Sequence, residues 1–230
     1  MARLNNKVSL LFVILAVMFC VFLILANLME VKVLNVCGFT ATAGLLVFPV
    51  SYIINDCIVE VYGFSRARLV VWLGFFMNLV VVLFIQLALV LPGDASWSGQ
   101  EAMEVVFSST SRILVGSFIA FICGSLVNAY VMSRMKVMSS GHYFSLRAIL
   151  STLFGETVDS VIFFPIAFYG TLPLSTIVSL IWTQAMLKTL YEILVLPVTI
   201  KVVRKVKEHE NLDVFDSDDV DYSWCKITKM

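Results

Sequence analysis

The chain alternates between long apolar segments and short polar connections. A helix needs roughly 20 residues to cross the hydrocarbon layer of a membrane, because it rises about 1.5 Å per residue. Six segments reach that length, over residues 9–31, 39–59, 69–91, 113–132, 148–168 and 176–200. The pattern therefore predicts an all-α, polytopic membrane protein with six transmembrane helices. Pro49, early in the second segment, is expected to kink its helix.

The composition supports a membrane protein. Hydrophobic residues make up 60% of the chain, charged residues 14%, and the mean hydropathy is +0.96, which is too apolar for a soluble domain. The first apolar segment is longer than the core of a signal peptide and has no small-residue cleavage site, so we expect it to be retained. The five cysteines lack the spacing of a metal or redox site. The sequence predicts no metal and no cofactor.

Basic residues mark one side of the predicted membrane. They occupy the N-terminal flank, the second and fourth connections and the C-terminal flank: Arg3, Lys7, Arg66, Arg68, Arg134, Lys136, Arg147, Lys201, Arg204, Lys205 and Lys207. The opposite connections carry Lys32 and Arg112 near helix ends. Since cytoplasmic loops are enriched in lysine and arginine, both termini are predicted to lie in the cytoplasm, which requires an even number of spans.

The C-terminal end differs from the rest of the chain. After Lys207 the sequence is rich in acidic residues and has no periodic apolar face, a composition typical of disorder. We therefore predict two regions: a six-helix transmembrane domain over residues 1–207 and an acidic, disordered cytoplasmic tail over residues 208–230.

Ionisable residues occur inside the predicted spans, where they are costly and usually functional. Glu156 and Asp159 share a face of the fifth span, and Lys188 and Glu192 share a face of the sixth. All four fall near the middle of the predicted membrane. Together with Asp56, these carboxylates outnumber the deep lysine, and a dry bundle does not favour such an imbalance. Either some carboxylates are protonated, or a cavity supplies water and a ligand with donor groups.

The polar residues in the spans have a structural interpretation beside the functional one. Glu156 and Asp159 either belong to a site or form only a structural ion pair with Lys188. Asp56 and Glu60 either line the inner wall of a cavity or are interfacial carboxylates that reach the arginines of the next connection. Lys188 and Glu192 are either part of a site or an intrahelical ion pair. Asn78 is either a site residue or a hydrogen bonder between helices.

Several segments resemble one known family along nearly the whole chain up to residue 207. They are 27–32 in the first span, 48–56 and 60–63 in the second, Gly155-Glu156 and Asp159-Ser160 in the fifth, and Lys188 with Glu192 and Pro197 in the sixth. In these segments the chain resembles the queuosine precursor transporters, six-helix membrane proteins similar to vitamin-uptake transporters. The acidic tail departs from the family pattern.

The resemblance implies a multi-pass importer of the bacterial inner membrane that supplies queuosine precursors for tRNA modification. The simplest mechanism is alternating access around a site near the middle of the membrane. The implied substrates are 7-cyano-7-deazaguanine, 7-aminomethyl-7-deazaguanine or queuine. A guanine-like edge presents adjacent N–H and amino groups, which one carboxylate, Glu156 or Asp159, can accept. The carbonyl of the base needs a donor, and Lys188, Asn78 and Gln184 are the candidates.

The predicted substrate site includes residues of the second span as well. An aminomethyl substituent would add a cation, for which Asp56 or Glu192 is a candidate partner. Tyr52 and Asn55 share the polar side of the second span with Asp56. The flat base would stack on an aromatic residue, and the candidates are Phe48, Tyr52, Phe163, Trp182 and Tyr191.

Three other function classes compete with a solitary carrier. The chain could be the substrate-binding subunit of an energy-coupling importer, because it has no phosphate-binding loop of its own for ATP hydrolysis. An intramembrane enzyme would use Glu156 and Asp159 as acid and base, but no catalytic motif supports it, and the sequence predicts no enzyme. A pore is disfavoured by the lack of a continuous polar stripe. The expected partners are a small-molecule substrate and the lipid bilayer, with no nucleic acid, and a homo-oligomer is left open.

Overall fold

The computed structural model describes residues 8–29, 32–36, 39–94, 96–107, 111–170, 173–216 and 222. These residues form seven α-helices, one short 3₁₀ helix and one β-hairpin. The helices are α1 (Leu10–Met29), α2 (Phe48–Tyr62), α3 (Phe64–Val90), α4 (Gln100–Phe107), α5 (Ser111–Met138), α6 (Phe144–Phe168) and α7 (Leu174–Glu210).

Among the described residues, five helical segments are long and apolar enough to cross a membrane: Leu10–Met29, Ala43–Tyr62, Phe64–Val90, Gly116–Met138 and Phe144–Phe168. They correspond to the first five predicted spans, so the prediction of a helical, polytopic membrane protein is confirmed. The helix at the sixth window, α7, has 37 residues, more than a single crossing requires.

The second predicted span does not begin as an α-helix. Strand β2 (Phe39–Thr42) pairs antiparallel with β1 (Val33–Val36), and a 3₁₀ turn over Ala43–Leu46 follows. Helix α2 begins only at Phe48, with proline in its first turn. The first N–H groups of a helix have no intrahelical acceptor, so proline is tolerated there. The prediction that Pro49 kinks the helix is wrong, since the residue lies in the first turn of α2.

Two glycines bring α5 and α6 together. A Cβ atom added to Gly124 would lie 2.9 Å from the carbonyl oxygen of Gly155, and one added to Gly155 would lie 2.8 Å from Cβ of Asn128. Small residues allow such close approach of two helix backbones. Helix α7 also packs against α6, and α2 contacts both α5 and α7. The polar residues of α2, α5, α6 and α7 therefore meet inside the bundle.

The C-terminal segment folds back on the bundle. Helix α7 continues through Glu210, and Asn211 ends it in a left-handed conformation. The N–H of Val214 donates to the carbonyl oxygen of Val61 (3.1 Å), and Asp216 accepts from the N–H of Phe64 at the start of α3 (3.0 Å). The predicted boundary at residue 207 thus falls inside α7, and the disorder of the tail stays a prediction. Residues 217–221 and 223–230 of the predicted tail lie outside the described residues.

Candidate functional site

A cavity of about 260 Å³ lies between α1, α5, α6, α7 and the start of α2. Its walls are largely apolar and aromatic, and polar side chains converge on one part of them. The lining residues are Leu23, Asn27, Gly44, Leu45, Phe48, Ser117, Phe121, Asp159, Ser160, Phe163, Phe164, Phe168, Gln184 and Lys188. Such a composition, apolar walls with a few polar groups, is typical of a small-molecule site.

Lys188 is the charged centre of this cavity. Its Nζ atom lies 2.7 Å from Oε2 of Glu156 and 3.6 Å from Oδ2 of Asp159. The same ammonium group lies 4.1 Å from the centre of the Phe48 ring, within the range of a cation–π interaction. Two carboxylates share one ammonium group here, so the cluster carries a net negative charge when all three are ionised.

The two carboxylates of this cluster have different exposures. Glu156 is 1% exposed and is absent from the cavity lining, whereas 13% of the Asp159 side chain is exposed and it faces the cavity. Glu156 is therefore the closer and more buried partner of Lys188, and Asp159 is the carboxylate exposed to the cavity. Gln184, one turn before Lys188 on α7, presents an amide to the same space.

Some of the aromatic candidates line the cavity and others do not. Phe48 and Phe163 line the cavity, while Trp182 is 56% exposed on the outer surface. The sequence interpretation missed Phe164 and Phe168, which also line it and whose rings stack with centroids 6.0 Å apart. Their spacing of four residues on α6 was the available signal.

A second polar cluster, Asp56 with Glu192, lies one helical turn from Lys188. The two carboxyl groups are close enough to share a hydrogen bond, and both residues are buried. Asn55 donates to Oδ1 of Asn128 (3.1 Å), and Asn128 donates to Oγ1 of Thr152 (3.2 Å). This cluster is outside the cavity lining, and so is the buried Tyr52, whose ring packs on Phe48 (5.4 Å).

A third cluster surrounds Glu60 at the end of α2. Arg147 binds its carboxylate through two bonds of 2.5 and 3.1 Å, and Lys207 donates to it at 2.6 Å. Lys136 lies 3.9 Å away, and it also pairs with Asp213 of the C-terminal segment. Burial alone would raise the pKa of Asp213, but the hydrogen bonds and charges of Lys136 and Lys207 outweigh it and hold that pKa below its usual value.

The interpretation of Asp56 and Glu60 as interfacial residues is wrong, since both are buried. The arginines proposed as their partners contact aromatic rings: Arg66 lies 5.6 Å from the ring centre of Tyr62, and Arg68 lies 5.5 Å from that of Phe64. Asn78 is buried on α3 and is not among the described residues that line the cavity.

Three polar clusters lie one after another along α2, α6 and α7: the cluster around Lys188, the Asp56–Glu192 pair and the cluster around Glu60. On α2, Tyr52, Asp56 and Glu60 recur every fourth residue and so occupy one helix face. On α7, Lys188 and Glu192 do the same. A polar line therefore runs from the cavity to the Glu60 cluster, and it is assembled from three helices rather than one.

Comparison with known proteins identifies relatives of this chain. Residues 42–202 match the model of a family described as "Putative vitamin uptake transporter". A protein of Bacillus subtilis named "Probable queuosine precursor transporter" is 34% identical over 149 residues, covering 64% of this chain and 65% of the relative. The similarly named proteins of Haemophilus influenzae and Escherichia coli are 29% and 27% identical, over 54% and 58% of their lengths. The matches thus span somewhat less than two thirds of each relative. No solved structure gives a significant match.

Proposed function

Because this chain belongs to the putative vitamin uptake transporter family, we propose that it imports queuosine precursors, 7-deazaguanine bases, across the bacterial inner membrane. The site alternates in its access to the two sides of the membrane. Helix α7 is the sixth span, and the positive-inside pattern puts both termini in the cytoplasm. The names of the three relatives support this class of substrate.

The observation that carries the proposal is the pairing of Asp159 with Lys188 at the wall of an aromatic cavity. A deazaguanine base offers adjacent N–H and amino donors, which the carboxylate of Asp159 accepts together. Lys188 or Gln184 donates to the carbonyl of the base. The ring stacks between aromatic side chains of the wall, of which Phe48 and Phe163 are the candidates.

The size and charge of the cavity favour a small base. A volume of about 260 Å³ is slightly below the roughly 300–1,000 Å³ of sites for drug-sized ligands, so a free base suits it better than a larger nucleoside. The net negative charge around Lys188 favours a ligand rich in donors. Asp159 is the carboxylate that lies farther from Lys188, and two donors on one edge of the base satisfy its oxygens.

Uptake by the purified full chain in liposomes tests this function. We expect labelled 7-cyano-7-deazaguanine to enter with the wild type and unlabelled deazaguanines to compete. Uptake should fall at least about tenfold in Asp159→Asn, since loss of a charged hydrogen-bond acceptor costs roughly 1.5–3 kcal/mol. Lys201→Met, an exposed residue of α7, is the control. Wild-type rates in Asp159→Asn and Lys188→Met would overturn the site, and transport that requires added ATPase subunits would favour the energy-coupling alternative.

A further inference from the structure

The carboxyl groups of Asp56 and Glu192 form a buried pair that the proposed base site does not use. Asp56 is 0% and Glu192 1% exposed, and the two groups are close enough to share a hydrogen bond. None of their four oxygens has a hydrogen-bond partner at normal distance in the described residues, and the polar side chains beside them are Asn128, next to Asp56, and Thr152, next to Glu192. Two ionised carboxylates this close together repel each other strongly in a medium of low dielectric constant.

The groups around the pair do not neutralise it. From α2, Tyr52 and the carboxylate of Glu60 face Asp56, and Cys57 follows it in the chain. From α5 and α6 the neighbours are neutral, namely Asn128 and Thr152. Glu156, on α6, adds a further negative charge near Glu192, but it is itself paired with Lys188.

Nearby cations are bonded to other acids. Lys188 is 2.7 Å from Glu156, and Arg147 and Lys207 bind Glu60 at 2.5 and 2.6 Å. The cluster near the cavity and the cluster at Glu60 thus each contain cations of their own. One proton between Asp56 and Glu192 would turn their contact into a short, strong O–H···O⁻ hydrogen bond.

We propose that Asp56 and Glu192 together bind one transported proton, which makes the carrier a proton symporter. This inference rests on the proposed import of a base. One neutral base and one proton enter together, so each cycle carries one positive charge inward. The proton is released toward the Glu60 cluster, which follows the pair on the same face of α2.

The position of the pair explains how the two cargoes are coupled. Glu192 is one turn from Lys188 on α7, and the charge of Glu156 acts on Glu192. A base that engages Asp159 and Lys188 changes the strength of the ion pair between Lys188 and Glu156. This changes the electric field at Glu192, and with it the affinity of the Asp56–Glu192 pair for the proton.

Infrared spectroscopy of the purified full-length protein tests proton binding without transport. We expect the wild type at neutral pH to show the absorption band of a buried protonated carboxyl group, and both Asp56→Asn and Glu192→Gln to lose it. Glu101→Gln, on the exposed helix α4, should keep the band. A wild type without the band, or variants that all retain it, would overturn the proton site, whatever the transport assays give.

Accumulation in liposomes tests the coupling. With an alkaline interior, a gradient of one pH unit should concentrate labelled 7-cyano-7-deazaguanine up to about tenfold in wild-type vesicles, and an uncoupler should abolish the excess. In Asp56→Asn and Glu192→Gln the final ratio should approach one, whatever the rate. Undiminished accumulation in these variants, or accumulation driven by sodium instead, would refute the symport. A wild type that admits no base at all would refute the proposed function, and the infrared band would still decide the proton site.

Discussion

Glu60 and Asp213 bind the same two lysines but differ in burial, so their amide variants give a matched comparison. Both carboxylates contact Lys136 and Lys207. The side chain of Glu60 is 2% exposed and also binds Arg147, which is fully buried. The side chain of Asp213 is 43% exposed. We expect Glu60→Gln to be much more destabilising than Asp213→Asn.

The magnitudes follow from what each change leaves behind. Glu60→Gln leaves the guanidinium group of Arg147 buried without its anion, which costs about 3–5 kcal/mol. Asp213→Asn removes two ion pairs, to Lys136 and Lys207, from a side chain that is 43% exposed and therefore partly screened by solvent. The buried Lys136 keeps Glu60 as a nearby anion, so the change costs less than about 1 kcal/mol. For a chain of this size each kcal/mol lowers the melting temperature by about 2–4 °C. Glu60→Gln should therefore lower it by about 10 °C, and Asp213→Asn by less than about 4 °C.

Thermal unfolding of the detergent-purified proteins, followed by intrinsic fluorescence, measures both shifts. The double variant Glu60→Gln/Arg147→Met should recover part of the loss, because it removes the unpaired guanidinium group as well. Equal shifts for Glu60→Gln and Asp213→Asn would show that burial of the Arg147 pair does not stabilise the fold, and the reasoning would be refuted.

Three further predictions concern the C-terminal segment and its contacts. Gly63→Ala should destabilise the fold by about 1–3 kcal/mol in thermal unfolding, since Gly63 has φ +85° and an added Cβ would lie 2.9 Å from Val214; Gly170→Ala, with φ +81° and nothing within 4 Å, isolates the backbone strain and should cost less. Asp216→Ala removes the side chain that accepts from the first N–H of α3 and should cost about 1–2 kcal/mol in the same assay; an unchanged melting temperature would contradict that role. Because the pKa of Asp213 is lowered in the folded protein, its contribution to stability is present above about pH 4 and is lost as the pH falls through the folded pKa; the difference in melting temperature between wild type and Asp213→Asn should shrink over that range, and a constant difference would contradict it.

The sequence predicted which residues belong to the candidate site, but it did not predict which of them pair with each other. Depth along the helices and periodicity singled out Glu156, Asp159 and Lys188, and the structure places these three in contact. Whether Lys188 pairs along its own helix or across to α6 depends on how the two helices are rotated. Sequence spacing cannot resolve that choice, because Lys188 has acids in reach under both arrangements.

The partners of Glu60 could not be found from sequence. The nearest basic residues along the chain, Arg66 and Arg68, follow the sharp turn at Gly63 and point to aromatic rings. Arg147, which binds Glu60, is 87 residues away in the chain. Such a contact depends on the packing of α2 against α5, α6 and α7, and no local pattern encodes it.

The sequence by itself determined that the chain is an apolar helical protein of the membrane, because hydropathy and helix length are local properties of each segment. It also identified the family and the ionisable residues within the spans. The tertiary structure decided which of these residues meet: Lys188 with the acids of α6, Asp56 with Glu192, and Glu60 with Arg147. It also decided that Val214 and Asp216 form hydrogen bonds to Val61 and Phe64. These outcomes depend on helix rotation and close approach, which arise only when distant segments pack together.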